Sequence, residues 1–220
     1  MKAEYLIFNL IIILGPVLAV LFYKKAKKLD LWPGLKAIII PALLFIIWDE
    51  LVTGYFWQFN DKYILGLKIF RLPIEEILFF FTVPWACLFL WVNLEQKLKS
   101  SVIKKLPVFL MLICFLAGFF YLSAGLYYTG LVLAMFFLTI IADILFKTNL
   151  LAQTRFIAFL GLVIIFIGIF NGYLTARPVV LYAESLKTNF NIYTIPIEDF
   201  IYGLALIILV IIFYEKRKFK

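Results

Sequence analysis

Histidine is absent from the 220 residues, cysteine occurs only twice, and charged residues make up just 15% of the chain. Without His the chain lacks the commonest proton carrier and metal ligand near neutral pH, so acid–base chemistry falls to its carboxylates. Cys87 and Cys114 each stand alone in an apolar run, which gives neither a metal motif nor a disulfide pattern. No Gly-rich phosphate loop and no dinucleotide fingerprint occurs, so ATP-driven transport and a Rossmann cofactor lack support. No cofactor and no metal is expected. A net charge of +8 would suit nucleic acid, but Lys and Arg cluster in short loops, which points to membrane topology instead.

What is abundant is apolar surface. Hydrophobic residues make up 65%, Phe alone supplies 25, and the mean hydropathy is +1.06. Such a composition defines a polytopic membrane protein. Seven apolar stretches, near 4–23, 34–53, 73–94, 106–123, 126–146, 156–175 and 196–214, are long enough to cross about 30 Å of hydrocarbon at about 1.5 Å per residue. The fourth and fifth are separated by little more than Ser123-Ala124-Gly125, which predicts a tight turn. The first run is followed by Lys24-Lys25-Ala26-Lys27-Lys28 and no small-residue cleavage site, so it reads as a retained helix. With the N-terminus outside and the C-terminus cytoplasmic, inner segments hold fifteen Lys and Arg and outer segments six, a bias that favours this orientation and an odd number of spans.

Pro73-Ile74-Glu75-Glu76 returns as Pro196-Ile197-Glu198-Asp199, each time at the start of an apolar run. A carboxylate at mid-bilayer costs roughly 2.5–3.5 kcal/mol on insertion scales, less near the interface. Trp48-Asp49-Glu50-Leu51-Val52-Thr53 ends the second span and Phe170-Asn171-Gly172-Tyr173-Leu174-Thr175 the sixth, each followed by a long outer loop. The fold expected is therefore all-α: seven transmembrane helices as two parallel three-helix repeats, 1–98 and 125–220, joined by a connector helix within 99–124. Parallel repeats are related by an axis along the membrane normal and place a site at their interface.

Proline followed by acids is also a plain helix-start signature, because Pro presets φ and carboxylates complement the helix dipole. Against that simpler account stand the polar residues expected at the same depth, Asp49 and Glu50 in one half, Asn171 and Thr175 in the other. Adjacent carboxyls do not both ionise cheaply at low dielectric, so each pair reads as a proton donor beside an anion; the positive helix end opposes this. Aromatic residues crowd the first copy, among them Trp48, Trp57, Phe79 and Phe80, and their faces can stabilise a carbocation. Interfacial belts and lipid-facing Phe explain many of them equally well. Asp143 and Lys147 are spaced for an i,i+4 ion pair, and Gly15-Pro16 and Pro84 imply kinks or close packing.

The run Trp48-Asp49-…-Thr53-…-Trp57-Gln58-Phe59-Asn60-…-Pro73-Ile74-Glu75-Glu76-…-Phe79-Phe80 resembles the membrane-integral lycopene cyclase domain. The run Asn171-Gly172-Tyr173-Leu174-Thr175-…-Tyr182-…-Pro196-Ile197-Glu198-Asp199-Phe200-Ile201-Tyr202-Gly203 resembles the partner subunit of that family. In some bacteria the two halves are separate three-span polypeptides; this chain looks like the fused form, as in the fungal bifunctional enzyme. The resemblance implies a lycopene β-cyclase that forms β-carotene by acid-initiated carbocation cyclisation without net redox change. It implies Glu75, Glu76, Glu198 and Asp199 as the acid–base groups, with Asp49 and Asn171 orienting them. Trp48, Thr53, Trp57, Phe79, Thr175 and Tyr202 are then the substrate contacts. The partners implied are a lipid-soluble carotenoid, membrane lipid and other carotenoid enzymes, not nucleic acid, in a prokaryotic inner membrane. The competing readings are a carotenoid hydratase, a one-ended cyclase and a proton-coupled transporter, whose carboxylates belong nearer mid-bilayer. The last span contains no Lys, which sets aside a retinal Schiff base.

Overall fold

The computed structural model describes residues 2–23, 26–94 and 105–218. Lys24, Lys25, Lys97, Lys99, Lys104 and Lys220, all counted in the charge bias, lie outside the described residues, as does the boundary expected at 98–99. The chain is mostly helical. Its helices are α1 (Glu4–Phe22), α2 (Leu31–Val52), α3 (Ile74–Asn93), α4 (Leu106–Ser123), α5 (Tyr127–Leu145), α6 (Thr154–Ala176) and α7 (Ile197–Lys218). Each coincides with an apolar stretch expected from the sequence, because a run this apolar satisfies its backbone internally only as a helix. Among the described residues, six are long and apolar enough to cross a membrane: α1, α3, α4, α5, α6 and α7. The remaining helix, α2, is 22 residues long and includes Lys36, Asp49 and Glu50.

The structure departs from a purely helical chain in the loops. Among the described residues six short strands form three antiparallel ribbons: β1 (Trp57–Phe59) with β4 (Val180–Tyr182), β2 (Lys68–Ile69) with β3 (Leu72–Pro73), and β5 (Asn191–Ile192) with β6 (Ile195–Pro196). Pro73 and Pro196 thus end strands, one residue before the helices they were expected to open. Each hairpin turns on an aromatic residue in the left-handed region, Phe70 (φ 54°) and Tyr193 (φ 59°), which lie 123 positions apart. Gly66 (φ 88°) and Asn189 (φ 57°) keep the same spacing. The Ile74 and Ile197 amides donate to the Leu67 and Phe190 carbonyls, again 123 apart. The internal repeat is therefore written in the backbone as well as in the sequence.

The chain divides into two compact units. The first is Met1–Asn93 with Tyr173–Tyr182; the second is Leu94–Gly172 with Ala183–Lys220. In the first, α3 packs on α1 and α2, and Gly34 lets α2 approach Trp85, where a Cβ would sit 2.7 Å from the ring. Asn93 closes the loop before α2, accepting from the Lys27 amide at 2.7 Å and donating to the Lys27 carbonyl at 3.1 Å. In the second, α5 packs on α4 and α7 around Val132, Ile140, Ala205 and Ile211, all fully buried. The tight turn expected between α4 and α5 is present, with Gly125 at φ 79°. A Cβ at Gly15 would meet open space, so that residue marks no close packing. The buried Asp143 carboxylate accepts from the Leu150 amide (2.8 Å), the Leu151 amide (3.1 Å) and the Thr148 hydroxyl. It caps the turn after α5 instead of serving as the i,i+4 partner of Lys147, which has left the helix at φ 57°.

Candidate active site

In the first unit the hairpin β2–β3 delivers Glu75 and Glu76 into the first turn of α3, and both are buried. Oε1 of Glu75, a residue 0% exposed, accepts from the Leu65 amide at 2.6 Å. Its Oε2 is buried and has no hydrogen-bond partner among the described residues. Oε2 of Glu76 accepts from the Tyr5 hydroxyl at 2.5 Å. Asn9, one turn further along α1, donates to the carbonyls of Glu75 (3.0 Å) and Tyr5 (3.1 Å) and accepts from the Thr82 hydroxyl at 2.6 Å. Three polar residues thus fix α1 against the start of α3.

Around these carboxyls the aromatics form two runs. Tyr5 meets Phe79 at 6.2 Å, Phe79 meets Phe80 edge-on at 6.1 Å, and Phe80 meets Phe45 at 6.4 Å. Trp48, Phe56, Trp57 and Tyr182 follow one another at 6.2, 6.3 and 6.4 Å. Asp49 is 1% exposed and lies within electrostatic reach of the Tyr5 hydroxyl. Glu50 turns instead to the hairpin, accepting from the Arg71 amide at 3.1 Å, while the Arg71 guanidinium donates to the Thr53 carbonyl at 3.2 Å. The Trp48 indole nitrogen and the Thr53 hydroxyl are buried without a partner among the described residues. Thr175 is half-buried in the last turn of α6, in the part of that helix that belongs to the first unit. Just beyond it, Arg177 forms a two-point ion pair with Glu4, at 2.8 and 3.1 Å, which holds the guanidinium well above its usual range.

The second unit repeats the pattern. Tyr128 donates to Oδ1 of Asp199 at 2.8 Å, and Tyr128 follows Tyr5 by the same 123 positions that separate Asp199 from Glu76. Oε2 of Glu198, a residue again 0% exposed, is buried without a partner among the described residues. Its Oε1, however, accepts from three donors: the Thr188 amide (2.9 Å), the Thr188 hydroxyl (2.8 Å) and the Thr129 hydroxyl (2.5 Å). Next to Thr188, the fully buried Lys187 pairs with Glu184 at 2.7 Å and donates to Asn189 at 3.1 Å, which anchors the loop. Asn171 and Tyr202 are half-buried, Tyr202 at the position equivalent to Phe79.

A buried polar atom without a partner costs about 1–3 kcal/mol and calls for an explanation. Here the first Glu of each motif has one oxygen held and one free, a geometry suited to exchanging a proton with a bound molecule. Tyr5, Tyr128, Thr129 and Thr188 were not singled out from the sequence. Tyr5 and Tyr128 were detectable through their common 123-residue spacing; the threonines left no such signal, because the first half has Leu6 and Leu65 in their places.

In both halves an apolar helix thus opens on paired, buried carboxyls, the second of each pair bonded by a tyrosine. The family model described as Lycopene cyclase matches residues 3–94 and 125–216, and the chain belongs to that family. It is an enzyme of carotenoid cyclisation, acting on a carotenoid substrate. No curated protein and no solved structure matches the chain.

Proposed function

We propose that the protein is a lycopene β-cyclase that closes both acyclic ends of lycopene to β-ionone rings. The observation that carries this reading is the free, fully buried carboxyl oxygen on Glu75 and on Glu198. The acid is Glu75 or Glu198, which gives a proton to the terminal double bond and leaves a tertiary cation. The electron pair of the neighbouring double bond forms the ring bond and moves the cation inward. A base, Glu76 or Asp199, removes the ring proton and sets the β double bond. The adjacent carboxyl is then reprotonated, so one proton enters and one leaves per ring, and nothing is oxidised or reduced.

Aromatic faces at Trp48, Trp57, Phe79 and Tyr202 would steady the cation, by about 2 kcal/mol or more when desolvated, and apolar walls would keep water from trapping it. Thr53 and Thr175 would line the same substrate path, with Asp49 and Asn171 orienting the acids. We place the chain in a prokaryotic inner membrane with α2 as a seventh span, the N-terminus outside and the C-terminus cytoplasmic. The layout is two parallel three-helix repeats, 1–98 and 125–220, with a connector in 99–124. The symmetric register of β1 and β4, in which Gln58 faces Leu181 at the repeat spacing of 123, supports this layout. Membrane lipid and other carotenoid enzymes are the expected neighbours.

The test is expression in a bacterial host that accumulates lycopene, with pigments separated by chromatography. β-Carotene is expected from the wild type and unchanged lycopene from the inserted Glu75→Gln/Glu198→Gln double variant. γ-Carotene alone would make the enzyme one-ended, and a hydroxylated product a hydratase. Wild-type cyclisation by the double variant would remove these carboxyls from the chemistry.

A further inference from the structure

The two motifs differ in one respect that their sequences hide. Oε1 of Glu75 receives a single donor, the Leu65 amide. Oε1 of Glu198 receives three, and two of them are hydroxyls that also accept: the Thr129 oxygen shares the Thr188 amide, at 3.2 Å, and the Thr188 oxygen accepts from the Phe190 amide at 3.4 Å. An ionised Glu198 can only accept, so the hydroxyl hydrogens of Thr129 and Thr188 then point at its Oε1. At the equivalent positions the first half has Leu6 and Leu65, whose side chains cannot donate. The loop bearing Thr188 is also anchored differently, through buried Lys187 where the first half has the equally buried Ile64.

We propose that the two repeats divide the work: Glu75 delivers the proton to the polyene, whereas Glu198 is fixed by a threonine clamp as a charge-bearing acceptor and gives up no proton. This assignment rests on the cyclase reading and chooses between the acids it left open. Three donors on one oxygen spread negative charge and hold it in place, and charge-assisted bonds of this kind are about twice as strong as neutral ones. Both residues have a free Oε2, but Glu75, with one donor on Oε1 against three, has the looser carboxyl that proton delivery needs. The donated proton is balanced by the ring proton passed to Glu76 beside it, from which Glu75 is recharged. Thr129 and Thr188 are positioning residues, acting through Glu198.

The experiment compares single variants in the lycopene-accumulating host, normalised to inserted protein. Glu75→Gln is expected to lower cyclic product at least about 100-fold, as for loss of a general acid. Glu198→Gln keeps a carbonyl oxygen that still accepts from both threonines, and its loss is expected to stay near about tenfold, the effect of roughly 1.4 kcal/mol. Thr129→Val/Thr188→Val is expected to match Glu198→Gln and to add nothing when combined with it. The Ser versions, which keep the hydroxyls, should restore product. Equal losses in Glu75→Gln and Glu198→Gln, or additive losses of clamp and carboxylate, would overturn the division of labour while leaving the cyclase reading intact. A wild type that leaves lycopene unchanged would overturn both.

Discussion

A tyrosine hydroxyl donating to a buried carboxylate orients that group and spreads its charge, and here the arrangement occurs twice, through Tyr5 on Glu76 at 2.5 Å and Tyr128 on Asp199 at 2.8 Å. A hydrogen bond to a charged group contributes about 1.5–3 kcal/mol. Tyr5→Phe keeps the ring that packs on Phe79 and removes only the donor. It should therefore cut cyclic product by about tenfold or more, since each factor of ten corresponds to about 1.4 kcal/mol. Tyr128→Phe should cut it less if proton delivery belongs to the first repeat. Pigment yield per inserted protein checks both, and a Tyr5→Phe variant with wild-type yield would mean Glu76 needs no such orientation. At this scale the sequence revealed the acids, because charge in an apolar run is conspicuous. It concealed their partners: a lone Tyr at the start of a membrane helix looks like any interfacial aromatic, and a Thr looks like filler.

Helix bounds were readable to within about four residues, the largest miss being the end of α7, expected at 214 and found at Lys218. The β ribbons were not, because strands of two or three residues carry no alternation to detect. Phe70 and Tyr193 hid the hairpin tips further, since aromatic residues seldom occupy the left-handed region and there cost roughly 1–2 kcal/mol. Glycines likewise look alike until packing separates them. A Cβ on Gly130 would fall 2.6 Å from the Leu122 Cγ and 3.0 Å from its backbone nitrogen, at the α4–α5 contact just after Tyr128 and Thr129. Gly161 in α6 faces open space. Gly130→Ala should destabilise by about 1–3 kcal/mol through overpacking, whereas Gly161→Ala should stabilise by up to about 1 kcal/mol through helix propensity. Thermal unfolding in detergent would show opposite shifts, and a common sign would mean that α4 and α5 yield at this contact.

At the scale of the whole molecule, the repeat in the sequence and the compact units of the fold are not the same partition. The family match stops at 94 and resumes at 125, yet the first unit also takes in Tyr173–Tyr182 from the second half. That segment supplies β4, which pairs with β1, and Arg177, which holds Glu4 at the start of α1 one residue before Tyr5. Nothing in the linear sequence announces this exchange, because Arg177 and Glu4 are 173 positions apart. The consequence can be tested by severing the chain between residues 98 and 99. Fragment 1–98 lacks the strand and the arginine, so alone it should leave lycopene unchanged even when inserted. Co-expressed with 99–220, it regains both, and cyclic product should return. Arg177→Ala in the second fragment should weaken that rescue more than it weakens the intact chain, where the covalent link keeps the partners at high effective concentration. Cyclisation by 1–98 alone would show that the acids of the first repeat are assembled without help from the second. Equal effects of Arg177→Ala in the split and intact forms would show that the Glu4 pair plays no part in joining them.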